Sequence, residues 1–270
     1  MEKWEQALEK FLRPWRSRPQ VVGALVAGSY VAGTADDYSD VDVHIVLAAN
    51  VRWRRKGLKT IDGVLIEYFA NPIRQLKADM AEEHSNGERS TARMFATGKV
   101  VFDKSGAVRR FQKTCQKEMK RKFKKQDRVE IEIGKYNLWD GLDELKSLKK
   151  QALPGFEYAY YVLLHEILKT YAQFLGAEVW AVAKTWKFFR NSRYRRQYQL
   201  AAFPDSRFAS IFLAAVSTPS ISRIESLTRY AQTQMGGFET GNWTLRTPVR
   251  LTGRKQATLI PAGVGERQDL

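Results

Sequence analysis

The first third of the chain breaks short apolar runs with polar interruptions, and the remainder repeats apolar residues at helical spacing. Residues 21–27 (VVGALVA) and 41–47 (VDVHIVL) predict two buried strands, and residues 63–70 (GVLIEYFA) a third that ends at Asn71-Pro72. A helix is expected over 72–82. From Val108 to Phe123, apolar residues at 108, 111, 115, 119 and 123 fall on one stripe of a helix whose other positions are mostly basic. Further periodic stretches predict helices over 138–150, 156–175 (closed by Gly176), 179–189, 208–216 and 221–234. Strands first and helices afterwards give an α+β chain: a mixed sheet with flanking helices over 1–126, a helical bundle over 127–239, and a flexible tail, rich in Gly, Thr and Pro, over 240–270.

Three carboxylates interrupt this pattern. Asp40 and Asp42 are two residues apart, so on an extended backbone both point to one face. Glu67 is the lone charge in its apolar run, where burial is costly unless the group is paired or metal-bound. Hard carboxylate oxygens gathered this way suit magnesium, and two ions held there would clamp the attacking and leaving oxygens of a phosphoryl displacement. Upstream, Gly28-Ser29 follows the first strand; a residue without a side chain lets backbone amides approach phosphates, and the serine hydroxyl can donate to one. Asp36 and Asp37 read as turn residues. His44 shares the parity of Asp42 and reads as a core histidine.

Gly28-Ser29, Ser39-Asp40-Val41-Asp42 and Glu67 on a later strand together resemble the signature of the nucleotidyltransferase superfamily that includes DNA polymerase beta. The sequence is similar in particular to small bacterial nucleotidyltransferases, among them antibiotic-modifying adenylyltransferases, over about residues 20 to 110. The resemblance implies a metal-dependent enzyme that moves a nucleoside monophosphate from an NTP, ATP foremost, to a hydroxyl acceptor and releases pyrophosphate. Asp40, Asp42 and Glu67 would be catalytic and would bind Mg2+, with Glu67 acting as metal ligand, general base or both. Gly28 and Ser29 would bind the nucleotide. A helical C-terminal domain would bring cations to the phosphates, with Lys146, Lys149, Lys169, Lys184 and Lys187 as candidates. Arg93 reads as a surface salt-bridge residue, and Trp180 and Trp186 as core.

Composition narrows the setting. One cysteine, Cys115, excludes an internal disulfide, and three scattered histidines leave no zinc constellation. No signal peptide or membrane-length apolar run is present, which predicts a cytoplasmic protein. The net charge of +16 is uneven: +2 over residues 1–102, +11 over 103–200 and +3 over 201–270. Such an excess predicts a polyanion contact and favours an anionic or neutral acceptor such as RNA. The mixed clusters at 52–56 and 190–196 also suit single-stranded nucleic acid. Two alternatives stand beside this reading: an aminoglycoside-type antibiotic adenylyltransferase, and a non-catalytic basic RNA- or nucleotide-binding protein.

Overall fold

The expected apolar runs are β1 (Val21–Ala27) and β2 (Val41–Leu47), antiparallel neighbours with almost every residue buried. The computed structural model describes residues 1–178 and 182–247. The third expected strand is β4 (Val64–Pro72), which runs parallel to β2 and continues through Pro72 rather than ending at Ala70. Two further strands, β3 (Arg55–Ile61) and β5 (Lys99–Asp103), complete a mixed sheet of order β3-β4-β2-β1-β5. β3 lies outside the sequence expectation because it is an edge strand with no apolar face: Arg55, Lys56, Leu58, Lys59 and Thr60 are all exposed. Its hairpin to β4 turns on Asp62-Gly63, both at positive φ, which matches the twist of the flanking strands.

Helices cover both faces of the sheet. On one, α1 (Lys3–Arg16) seats Ala7, Leu8, Phe11, Leu12 and Trp15 against β1, β2 and β4. On the other, α3 (Ile73–Ser85), α4 (Ser90–Thr97) and α5 (Ala107–Glu118) bury Leu76, Phe95, Phe111 and Cys115 against Leu25, Ala27 and Val46. Between β1 and β2 lies the short α2 (Gly28–Ala32). α5 stops at Glu118, a turn before the expected end at Phe123. The cation run 120–125 carries no acid to relieve like-charge repulsion along a helix. Phe123 packs instead on His84 and beneath the Arg89 guanidinium.

A second core belongs to α6 (Arg128–Lys150), α7 (Phe156–Leu175), α10 (Ser206–Ser217) and α11 (Ile221–Gln234), which meet around Tyr160, Ile167, Tyr171, Phe208 and Leu227. α6 begins at its N-cap Asp127, whose side chain accepts from the Glu130 amide. α8 (Val182–Arg190) and α9 (Ser192–Gln197) form a smaller cluster on Phe188, Tyr194 and Leu200. The first residues of the helix expected over 179–189, Trp180 with them, lie outside the described residues. Trp186 is 41 % exposed and carries the Arg190 guanidinium on its ring, so it is not a core residue. Tyr194, inside the 190–196 cation cluster, is buried and offers no ring on the outer surface.

The sheet and the helical bundle together make one unit, Met1–Phe238, and a second unit starts at Glu239. Residues 239–247 contain no helix or strand, and the rest of the tail expected over 240–270 lies outside the described residues. Among the described residues no helix is long and apolar enough to cross a membrane.

One carboxylate ties the bundle together. Asp205 caps α10 through the Phe208 amide and accepts the hydroxyls of Tyr171, at 2.6 Å, and Tyr230. Burial pulls its pKa upward, but these bonds outweigh burial and hold it below the usual carboxylate range. A depressed carboxylate stabilises the fold above its unfolded pKa and loses that contribution as pH falls through the folded value. Asp205→Ala is therefore expected to cost about 2 kcal/mol at neutral pH, from the lost cap and the stranded Tyr171 hydroxyl. Urea titrations should show the cost shrinking below about pH 4, the ordinary aspartate range; a pH-independent cost would rule out the charged cap.

Candidate active site

Strand register decides the site. In the parallel pair β2–β4, Asp42 stands directly beside Glu67, and Asp40 precedes Asp42 by one same-face step. Ligand oxygens of all three carboxylates lie within 4.8 Å of one another. Burial, then the neighbouring charges of Asp40 and Glu67, raise the Asp42 pKa to about 6, against the pull of Lys184 and Lys56. Three mutually repelling carboxylates at the end of an apolar strand are a donor set suited to a hard divalent cation, so these residues could hold a metal ion. Lys56, on the edge strand β3, reaches Glu67 at 2.9 Å and lies over the Phe69 ring.

Gly28 opens α2 at φ +74, directly against Asp42. A Cβ there would stand 1.8 Å from Asp42 Oδ2, so this position demands glycine twice, for conformation and for space. Gly28 and Asp42 form one wall of a cavity of about 380 Å³. The other walls come from α4 (Arg93, Met94, Thr97), from α7 (His165), and from the segment spanning α8 and α9 (Lys184, Tyr194, Tyr198). Ser29 follows in the first turn of α2, where its carbonyl accepts the Thr34 amide. Of the five candidate lysines, Lys184 is the one lining the cavity; Lys146 pairs with Glu225 at 2.8 Å, and Lys149 lies over the Phe156 ring.

Arg93 departs from its expected place. It is 4 % exposed and joins the two halves of the unit, pairing with Glu178 and donating to the carbonyls of Tyr198 and Gln199. Thr34 and the Tyr198 hydroxyl meet nearby at 2.8 Å. Glu178, His165 and Tyr198 escaped the sequence reading because they come from segments far along the chain with no local motif; only the fold carries them to the cavity that Asp42 lines. Asp36 does close a turn, accepting from Tyr38 and Ser39. His44 is buried between Phe69 and Phe95, and among the described residues neither ring nitrogen has a hydrogen-bond partner.

A second cavity, of about 390 Å³, adjoins the first across Met94. Its lining includes His44, Asn71, Arg54 and three acids of α3, Asp79, Glu82 and Glu83. Glu83 is held by the amide and hydroxyl of Thr91, both at 2.7 Å.

Gly28→Ala is expected to lower any nucleotide affinity of the cavity by at least about 10-fold, because Asp42 must leave its place or the turn must open. Nucleotide titration by calorimetry checks it, and wild-type affinity would show that the close approach is dispensable.

Residues 7–103 match the family model described as nucleotidyltransferase domain, a span that holds Gly28, Ser29 and all three acids. No curated protein matches the chain. Among solved structures, a nucleotidyltransferase-like protein from Exiguobacterium sibiricum aligns with a TM-score of 0.45 and 10% identity, over 86% of this chain and 74% of that one. The acid triad in its strand register and the family match coincide, and residues 7–103 of this chain are a domain of the nucleotidyltransferase superfamily.

Proposed function

We propose that the protein transfers a nucleoside monophosphate from an NTP, ATP foremost, to a hydroxyl acceptor. The observation that carries this reading is the cluster of Asp40, Asp42 and Glu67, whose member Asp42 lines a cavity together with Gly28. In the reaction the acceptor oxygen bonds to the α-phosphorus, the bond to the β-phosphate oxygen breaks, and pyrophosphate leaves with the electron pair. Glu67 takes the acceptor proton. Asp40, Asp42 and Glu67 would hold Mg2+, which supplies neutralisation of the phosphate charge that grows in the transition state. The Gly28 turn brings backbone close to the triphosphate, and Lys184 closes over it from the bundle side with a point charge.

Lys184→Ala is expected to raise the KM for NTP about 10-fold or more and to leave the acceptor KM near its original value. Steady-state kinetics in both substrates separates the two, and an unchanged NTP KM would remove Lys184 from phosphate binding.

A specific observation favours a cationic acceptor of aminoglycoside type over a polyanion. Despite the net charge of +16, the cavity next to the triad is lined by Asp79, Glu82 and Glu83. Net charge sets long-range attraction, whereas a pocket's own side chains set what fits within it. The deciding experiment measures pyrophosphate release with magnesium and each nucleoside triphosphate, against tRNA and a panel of aminoglycosides, with Asp40→Ala/Asp42→Ala as control. Release that needs the aspartates and one acceptor class establishes the transferase and its substrate. Absence of release with every acceptor, alongside nucleotide or RNA binding that survives the double substitution, would leave a binding protein instead.

A further inference from the structure

Residues 104–125 contain ten lysines and arginines against a single acid, Glu118. All ten are exposed: Lys104, Arg109, Arg110 and Lys113 at the start, then Lys117 and Lys120 through Lys125. Lys104 precedes α5, and the others lie on the outer face of α5 and on the segment that follows it; none lines the two cavities by the triad.

Folding does not account for these charges. Arg109 and Arg110 occupy the first turn of α5, where the positive end of the helix dipole disfavours cations. Arg109, Lys113 and Lys117 follow one another at i, i+4, where like charges repel. Glu118 is occupied by His84, at 2.7 Å, and by Arg121, and among the described residues Arg121 is the one member of the ten with an ion pair. Lys104 donates to the Arg18 carbonyl at 3.0 Å, but the row Arg109, Lys113 and Lys117 costs stability without an ion pair among the described residues, so a ligand is the physical reason to keep it.

We infer that this face binds the phosphate backbone of a nucleic-acid double helix. The row from Arg109 to Lys117 extends about 12 Å along α5, enough to meet successive phosphates. A membrane surface fits less well, because the apolar face that would insert is already spent: Val108, Phe111 and Cys115 are 0–2 % exposed in the core. A single strand fits less well too, because the segment offers no free ring for base stacking; its two aromatics are Phe111, in the core, and Phe123, held under Arg89. The absence of apolar anchors on this face also speaks against an acidic protein partner.

The inference stands apart from the transferase reading, and its test uses no activity. Fluorescence anisotropy with an about 20-bp RNA duplex and the matching DNA duplex, across about 50–200 mM salt, should give binding to at least one whose log K falls steeply with log salt. The triple substitution Arg109→Glu/Lys113→Glu/Lys117→Glu is expected to weaken binding at least about 30-fold and to flatten the salt slope by about 2–3. Arg109→Gln/Lys113→Gln/Lys117→Gln should lose less and keep the wild-type melting temperature or exceed it, which separates lost contacts from lost fold. The inference is overturned if the wild type binds neither duplex, if the triple variants bind and respond to salt as the wild type does, or if anionic phosphatidylserine vesicles are bound in preference.

Discussion

Asp42→Asn is expected to abolish nucleotidyl transfer, lowering kcat by about 10³-fold or more, and at the same time to raise the melting temperature of the metal-free protein. Both effects come from one arrangement. Asp42 sits beside Glu67 in the β2–β4 register with Asp40 next to it, and burial together with their charge holds its pKa near about 6. A carboxylate whose folded pKa is raised destabilises the fold at any pH above its unfolded value, because the charged form is worse accommodated in the native state. Asparagine keeps the shape and removes the charge, so the repulsion disappears with the function. In a chain of this size each kcal/mol relieved lifts the melting temperature by about 2–4 °C.

Magnesium should act on the two proteins differently. Ligand binding to the native state stabilises it by mass action, so added Mg2+ should raise the wild-type melting temperature and leave the Asp42→Asn protein nearly unmoved. Differential scanning calorimetry with and without Mg2+ reads this without reference to turnover. A variant no more stable than the wild type in the absence of metal, or equally stabilised by the ion, would separate Asp42 from the metal. Retained transfer would remove it from the chemistry.

What the sequence revealed of this site followed from how local each signal was. β1, β2 and β4 were legible because both faces of each strand are covered and nearly every position is apolar. The acids were legible because charges inside such runs have few reasons to be there. The register that unites Asp42 with Glu67 was not, since pairing depends on β3 turning back through Asp62-Gly63. That turn did leave a mark, an Asp-Gly pair before an apolar strand, but the polar edge strand ahead of it obscured the hairpin. The Arg93–Glu178 pair, Lys184 and Tyr198 belong to contacts between segments 85 to 106 residues apart or more, which no local periodicity encodes. The overall charge, by contrast, does not describe the cavities. Its excess sits on α5 and the segment after it, while the cavity beside the triad is acidic.

The junction between sheet and bundle carries the largest expected stability effect. Arg93 lies on α4, beneath the sheet, and its guanidinium ties down three points of the helical half: Glu178, and the Tyr198 and Gln199 carbonyls at 2.7 and 3.1 Å. The planar fork satisfies the carboxylate and the carbonyls together, which a lysine ammonium cannot do. Arg93→Ala strands a largely buried carboxylate and two acceptors, and removing one partner of a buried pair costs about 3–5 kcal/mol. Arg89 remains 3.5 Å from Glu178, so the loss should fall at the lower end, and Arg93→Lys should recover less than half of it. Glu178→Gln with Arg93→Ala should cost less than the two separate losses added, because the pair is one interaction. Urea unfolding of the four proteins measures that coupling; strict additivity, or a single loss under about 1 kcal/mol, would mean that the contact holds nothing. Since Arg93, Glu178 and Tyr198 are also walls of the cavity that holds Asp42, loosening the junction should raise the KM for NTP even in the fraction of molecules that stay folded. The latch thus serves stability and site geometry through the same guanidinium.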